Sequence, residues 1–354
     1  MVATVKDGVV RPSLPLLPTG LVGSWPQPEW LIRRADLTKM LPVRTRREDL
    51  WRPDPSLLDE AFDDAVDLAI GEQLRAGVDI VTDGEVRRES YSNHFANALD
   101  GIAHDRPGEA IDRTGAPVPV PRVVGPIVRR HPVEVDAVRF LRRRTDKPIK
   151  VTVPGPFTLA QQAQDDFYGD RGALALAYAE AVNDEVLDLF AAGADFVQID
   201  EPYLEARPDD ARAYALAAID RAVAGAPGPT VLHICFGYGI HVADKANRYR
   251  FLEELTACAI TDLSIEAAQP DLDLRVLRDL GDRVVHLGEV DLRDQSVESP
   301  SAVAERLREA LTYLPPERLA VTPDCGLKYL PRATAIAKLR ALVEGAAIVR
   351  AELS

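Results

Sequence analysis

The chain has 354 residues, 46% of them hydrophobic and 28% charged, which is enough apolar material for one large core and too much for a disordered chain. A formal net charge of −14 with no dense Lys/Arg cluster excludes nucleic acid and anionic membrane surfaces as natural partners. No apolar run approaches the ~18 residues of a membrane span, the first residues carry no signal-type apolar region, and three scattered cysteines make no disulfide framework, so a reducing, cytoplasmic setting is expected.

In chain order, a Pro-rich lead-in belongs to an N-terminal arm, 1–18, after which short apolar runs alternate with amphipathic stretches. Strands are expected at 20–25 (GLVGSW), 78–85 (VDIVTDGE), 149–156 (IKVTVPGP), 196–202 (FVQIDEP), 230–237 (TVLHICFG), 260–267 (ITDLSIEA), 283–291 (RVVHLGEVD) and 319–326 (LAVTPDCG). Helix-like periodicity covers 56–76, 172–192, 209–225, 247–258, 301–313 and 332–346. Near-continuous β-branched runs alternating with helices imply parallel strands with right-handed crossovers. Eight such units predict a (β/α)8 TIM barrel, α/β in class, as a single domain over 1–354. Such a barrel needs only ~250 residues, and two long connections absorb the excess. These follow the first strand (26–54) and the second (86–132); the latter alternates valine and proline around Arg122 and reads as a hairpin laid over the mouth. Arg122 is counted among the candidate substrate contacts.

A barrel of this kind carries its site at the C-terminal ends of the strands, and reactive side chains gather there. Ser24 ends the first strand, Asp83 and Glu85 the second, Asp200 and Glu201 the fourth, His233 and Cys235 the fifth, Glu266 the sixth, Asp291 the seventh, and Asp324 and Cys325 the eighth. Acids after a strand are often helix caps, and a His-x-Cys pair in a buried strand is ordinarily a hydrogen-bonded histidine beside a small apolar thiol. A cysteine, however, is a poor cap, and Cys325 converges on the same rim as His233, Cys235 and Glu266. A His-Cys-Glu-Cys set suits tetrahedral zinc in ligand type and number. Cys258 falls on a helical pattern and reads as structural, His286 lies mid-strand and reads as an ordinary barrel residue, and His94 is ambiguous.

The motifs LVGSWPQ, TDGEVRRE, VPGPFTLA, VQIDEPYLE, LHICFG, LSIEAAQPD and VTPDCGLK, in this order along almost the whole chain, resemble the C-terminal catalytic barrel of cobalamin-independent methionine synthase. The short single-barrel members are the most similar; the wider superfamily includes uroporphyrinogen decarboxylase and the coenzyme M methyltransferases. The resemblance implies zinc held by His233, Cys235, Glu266 and Cys325. It also implies Ser24 with the Gly23 backbone at the carboxylate of homocysteine, and Glu85 and Asp200 at its amino group, with Glu201 either supporting that pocket or forming part of it. Asp291 is carried as a further catalytic candidate, although Arg293 stands where the long enzyme has the histidine of an Asp-x-His motif. A second barrel is absent from this chain, and Gln162 occupies the place of a tryptophan expected to stack on a folate ring.

The activity implied is methyl transfer to homocysteine or a related small thiol, from methylcobalamin, a corrinoid protein or 5-methyltetrahydrofolate. Two rival enzymes remain on the residues alone, a zinc-dependent alkyl transfer to another thiol such as coenzyme M and a metal-free decarboxylase-like barrel. A non-enzymatic zinc-storing protein is a third reading, against which the acid-lined rim argues.

Overall fold

The computed structural model of the protein describes residues 4–6, 9–37, 44–113, 115–236 and 248–354. Parts of the expected arm, of the 26–54 connection and of the 247–258 segment, together with Thr114 and Gly237, lie outside these residues. Eleven strands are described: β1 (Thr4–Lys6), β2 (Val9–Arg11), β3 (Asp100–Ile111), β4 (Pro117–Val128), β5 (Lys150–Pro154), β6 (Gln164–Asp165), β7 (Phe196–Asp200), β8 (Thr230–Ile234), β9 (Asp262–Ile265), β10 (Val284–Gly288) and β11 (Leu319–Thr322).

The fold is α/β around a parallel sheet of order β11-β10-β9-β8-β7-β5. Isolated parallel bridges join Thr19 to Val321, Gly20 to Ile80 and Val81 to Ile149. The pairing therefore passes from β11 through 19–20 and 80–81 to the residue before β5, and each of the eight expected strand positions takes part. The first two are far shorter than the runs 20–25 and 78–85. The C-terminal half of the second turns aside, because Gly84 and Glu85 have φ of 69° and 53°, a conformation no strand accepts. Instead the Thr82 hydroxyl donates to the Gly23 carbonyl and the Trp25 N–H to the Gly84 carbonyl.

Each long strand has two chemically different faces. Val151 and Val153, Val197 and Ile199, Leu232 and Ile234, Leu263 and Ile265, Val285 and Leu287 all join the large core shared with the helices. The alternate positions are largely polar and equally buried: Lys150 and Thr152, Gln198 and Asp200, His233, Asp262 and Ser264, His286. Buried, unbroken runs thus conceal a period of two.

Helices Leu58–Ala76, Arg171–Ala191, Leu216–Val223, Pro300–Ala310 and Arg332–Leu353 fall within or near the expected segments, the last running past 346. Their starts are set locally: Asp170 accepts from the Ala173 N–H and Ser299 from the Ala302 N–H, with Pro300 next in line. Among the described residues four short helices lie outside the expected segments, Arg34–Leu37, Tyr91–Ala96, Val135–Arg142 and Pro156–Gln161. The helix expected over 247–258 does not form in its described part, which makes only the single turn Glu254–Ala257. There the Glu205 carboxylate takes the N–H groups of Arg250 and Phe251, and Arg283 takes the carbonyls of Thr256 and Cys258.

β3 and β4 form a long antiparallel hairpin, extended by β6. β1 and β2 pair antiparallel in the arm; Arg11 then grips Asp262, and Leu14 packs on Ile80, Phe196 and Val231. No helix among the described residues is long and apolar enough to cross a membrane.

Candidate metal centre and adjoining pocket

β8 delivers His233 in its last turn of pleat and Cys235 just beyond it; β11 leads into Cys325. One ligand atom from each, all three residues being buried, lies within 4.8 Å of the other two. His233 Nδ1 is 2.9 Å from Ser264 Oγ on the neighbouring β9, whereas its Nε2 is buried with no hydrogen-bond partner. A ring tethered through one nitrogen and bare at the other is the arrangement of a metal ligand. Neither thiol is in a disulfide. Contact with Cys325, against the opposing effect of burial, holds the Cys235 thiol well below its ordinary range, with help from His233 and Arg113. Two sulfurs and an imidazole match a Cys2His zinc site with a fourth position open.

Glu266 is fully buried at the end of β9, but its carboxylate is outside the mutual range of that trio; Oε2 accepts from the Phe236 N–H at 3.3 Å. Cys258 is elsewhere, its thiol pushed up to about 12 by burial and the Asp220 charge.

The trio opens on a cavity lined also by Val22, Ser24, Glu85, Arg113, Asp200, Pro202 and Gly326. Ser24, Glu85 and Asp200 thus converge from three strand ends. A Cβ on Gly326 would sit 2.0 Å from Ser24 Oγ, and one on Gly23 would sit 2.2 Å from Glu85 Oε1, so both glycines are there for close approach. Glu85 is held in left-handed backbone, its N–H given to Asp83 Oδ1 at 3.1 Å and its Oε1 taking the Thr152 hydroxyl at 2.9 Å. Such a non-glycine conformation persists where surroundings enforce it. Burial raises the Glu85 carboxyl above its usual range, and Asp83 adds to this while Arg88 opposes it. Burial likewise takes Asp200 up to about 7, with Glu85 adding and His233 opposing. A cationic ligand group placed between two such buried acids would favour their charged forms.

Glu201 is not in the lining. Its carboxylate accepts from the N–H groups of Phe157 and Thr158 at 2.9 and 2.8 Å and from the Thr158 hydroxyl, holding the start of helix Pro156–Gln161. Arg122 is also away from the cavity, ion-paired with Asp166 on the hairpin. Asp291 closes its own loop, accepting the Arg293 N–H at 2.7 Å. Gln162 is buried and takes the Ser92 hydroxyl at 3.0 Å.

Several residues had escaped notice. Arg113 reaches the cavity from the hairpin tip, where Nη1 donates to the Pro202 carbonyl at 3.2 Å and the guanidinium lies 5.4 Å from the Tyr203 ring centroid. It is the one arginine or lysine among the described lining residues. Behind Glu85, buried Arg88 pairs with Glu134 and Asp83, and Lys328 donates to the carbonyls of Arg88 and Glu89. Nothing in the local sequence marks these; the folded loops alone bring them in. Ser264 could have been found, two residues before Glu266 on the same face of its strand.

A parallel α/β fold whose strand ends bring a buried His/Cys/Cys trio, able to hold a metal ion, beside an acid-lined pocket defines the class of site. Residues 17–348 match the model of the cobalamin-independent synthase catalytic domain. The methionine synthase of Saccharolobus solfataricus is 36% identical over 347 residues, 96% of this chain and 97% of that protein. That of Thermococcus kodakarensis is 34% identical over 96% of each chain. A B12-independent methionine synthase from Shewanella sp. W3-18-1, solved in complex with selenomethionine, superposes with a TM-score of 0.87 at 32% identity, covering 96% of this chain and 99% of the other. The chain belongs to the cobalamin-independent methionine synthase catalytic-domain family and, with it, to the methyltransferases of methionine biosynthesis.

Proposed function

We propose that this protein is a homocysteine S-methyltransferase, built as a single (β/α)8 domain, that depends on zinc held by His233, Cys235 and Cys325. The observation that carries the reading is the shared cavity: the trio with its bare imidazole nitrogen opens on the same space as Ser24, Glu85 and Asp200. When bound, zinc supplies the Lewis acidity that turns a weakly acidic thiol, of ordinary pKa ~8.5, into its nucleophilic thiolate form.

The protein's own groups do the rest. Glu85 and Asp200 receive the substrate ammonium, and Ser24 with the Gly23 backbone receives the carboxylate. Fixed at both ends, homocysteine has its side chain directed at the trio. The methyl group then passes from donor to sulfur, the S–C bond forming as the donor–C bond breaks and the thiol proton leaving to solvent. Glu266, buried just past the end of β9, would be a further oxygen donor to such a metal. Selenomethionine in the Shewanella relative supports this reading, since it is the selenium counterpart of the product.

The test is metal content and turnover together. Wild type should carry about one zinc per chain; Cys235→Ser and Cys325→Ser should lose zinc and methionine formation while keeping their fold by circular dichroism, and Cys258→Ser should keep both. Equal zinc in all four proteins would refute the assignment.

For the donor we favour a methyl-corrinoid, acting as a substrate and not as a resident cofactor. A pterin held by stacking needs a flat partner, worth ~0.5–1.5 kcal/mol beyond area burial, and buried Gln162 is committed to Ser92 in its place. Methylcobalamin should therefore methylate homocysteine faster than 5-methyltetrahydrofolate at equal concentration. Comparable or faster turnover with the folate would reject this choice.

A further inference from the structure

Beneath the cavity, on the polar face of the sheet, a lysine is buried against a neutral amide. Lys150 is 1% exposed and Gln198 is wholly buried. Lys150 Nζ donates to Gln198 Oε1 at 2.5 Å, and Gln198 Nε2 donates to Asp200 Oδ1 at 2.8 Å. β5 and β7 are adjacent and parallel, with Lys150 opposite Phe196, Thr152 opposite Gln198 and Pro154 opposite Asp200, so the three polar groups climb the sheet toward the pocket.

We propose that Lys150 and Gln198 are positioning residues for the amino group of the thiol substrate, acting through Asp200. This rests on the reading of Asp200 as an ammonium contact. An amide can present oxygen or nitrogen to either neighbour, but an ammonium has donors only. Lys150 therefore holds the amide oxygen toward itself and the amide nitrogen toward Asp200. With Oδ1 so engaged, the carboxylate is locked in one orientation and Oδ2 is the oxygen offered to the cavity. Preorganisation of this kind is what converts a flexible acid into a selective receptor.

The lysine makes its one described side-chain hydrogen bond to the Gln198 amide and ion-pairs with no carboxylate among the described residues. Taking an ammonium out of water against a neutral amide is costly, and burial draws Lys150 down to about 8 although Asp200, Asp262 and Glu85 pull the other way. Its neighbour across the sheet, Phe196, packs with Ile80 and Val231 in an apolar cluster, so methionine would suit the site at no charge-burial cost.

The experiment compares homocysteine with 4-sulfanylbutanoate, which keeps the thiol and the carboxylate and lacks the amino group, in calorimetric titrations of zinc-loaded protein. Lys150→Met and Gln198→Met should each weaken homocysteine by about tenfold or more and leave 4-sulfanylbutanoate within about twofold. Zinc content should be unchanged, and Lys150→Met should melt no lower than wild type. Gln198→Glu keeps an acceptor for Lys150 and removes the donor to Asp200, so it should lose the same discrimination and decides the matter if Lys150→Met does not fold. A merely structural role would weaken both thiols together. Undiminished preference for homocysteine in the variants overturns the relay alone. A wild type that binds both thiols equally overturns the ammonium pocket and the relay with it.

Discussion

A methyl group added at Gly23 would meet Glu85 Oε1 at 2.2 Å and Thr152 Cγ2 at 2.8 Å. The glutamate end can swing away, whereas the β-branched threonine is stiff, so the pressure falls on the orientation of Glu85 more than on the fold. Gly23→Ala should weaken homocysteine by about 1.5–3 kcal/mol, the usual worth of a hydrogen bond to a charged group, with zinc retained. Unaltered affinity would mean that Glu85 does not contact the substrate. At this scale the residues that sequence could single out were those with a chemistry rare in strands: His233, Cys235 and Cys325 stand at the ends of two apolar runs, and the structure puts them within 4.8 Å of each other. Arg113 and Lys150 were hidden for different reasons. Arg113 depends on how far a hairpin tip reaches, and Arg122, farther along that hairpin, looked as suitable until Asp166 claimed it. Lys150 depends on register and on which face of its strand turns to the cavity, which one strand read alone leaves open.

Among elements, the ends of β9 and β11 are joined by one carboxylate. Asp324 Oδ1 accepts from the N–H groups of Ala267 and Ala268 at 2.9 and 3.0 Å, and Oδ2 from that of Gln269 at 2.6 Å. The clamp fixes the loop after Glu266 to the residue before Cys325. Asp324→Asn replaces an acceptor with a donor aimed at a backbone N–H, at a cost of about 1–3 kcal/mol for the group left unsatisfied. The variant should melt at lower temperature and surrender zinc at lower chelator concentration than wild type; no change in either would leave the clamp without a role at the metal centre. An acid after a strand was open to a reading as a helix cap, and here it caps a loop from another strand. Element boundaries failed in sequence for the same reason. Segment 248–258 has helical periodicity, yet Glu205 and Arg283 take the backbone groups that a helix would use, and such tertiary competition overrides a weak local preference. The long helices were legible because 19 to 22 residues of periodicity outweigh any single contact.

Across the whole molecule the parallel sheet has a reactive end and an opposite end on which the arm lies, where Arg11, Asp262 and His286 line a second cavity. There Arg11 makes two bonds to fully buried Asp262, and His286 Nε2 lies 3.0 Å from the same carboxylate. Burial alone would raise the Asp262 carboxyl, but His286 and Arg11 prevail and hold it at about 2. A folded pKa below the unfolded value of ~3.9 means that the stabilisation is complete above about pH 4 and is lost as pH falls through about 2. The shift corresponds to roughly 2–3 kcal/mol. Arg11→Gln removes part of it, so the stability difference from wild type, measured by urea unfolding, should be largest at neutral pH and shrink between about pH 4 and 2 as Asp262 takes up its proton. Homocysteine affinity at neutral pH should not change, because none of Arg11, Asp262 and His286 lines the cavity beside the trio or hydrogen-bonds to Lys150, Gln198 or Asp200. A stability difference independent of pH would show that Arg11 acts through packing of the arm and not through the Asp262 charge, and weaker homocysteine binding would show that the two ends of the sheet are coupled.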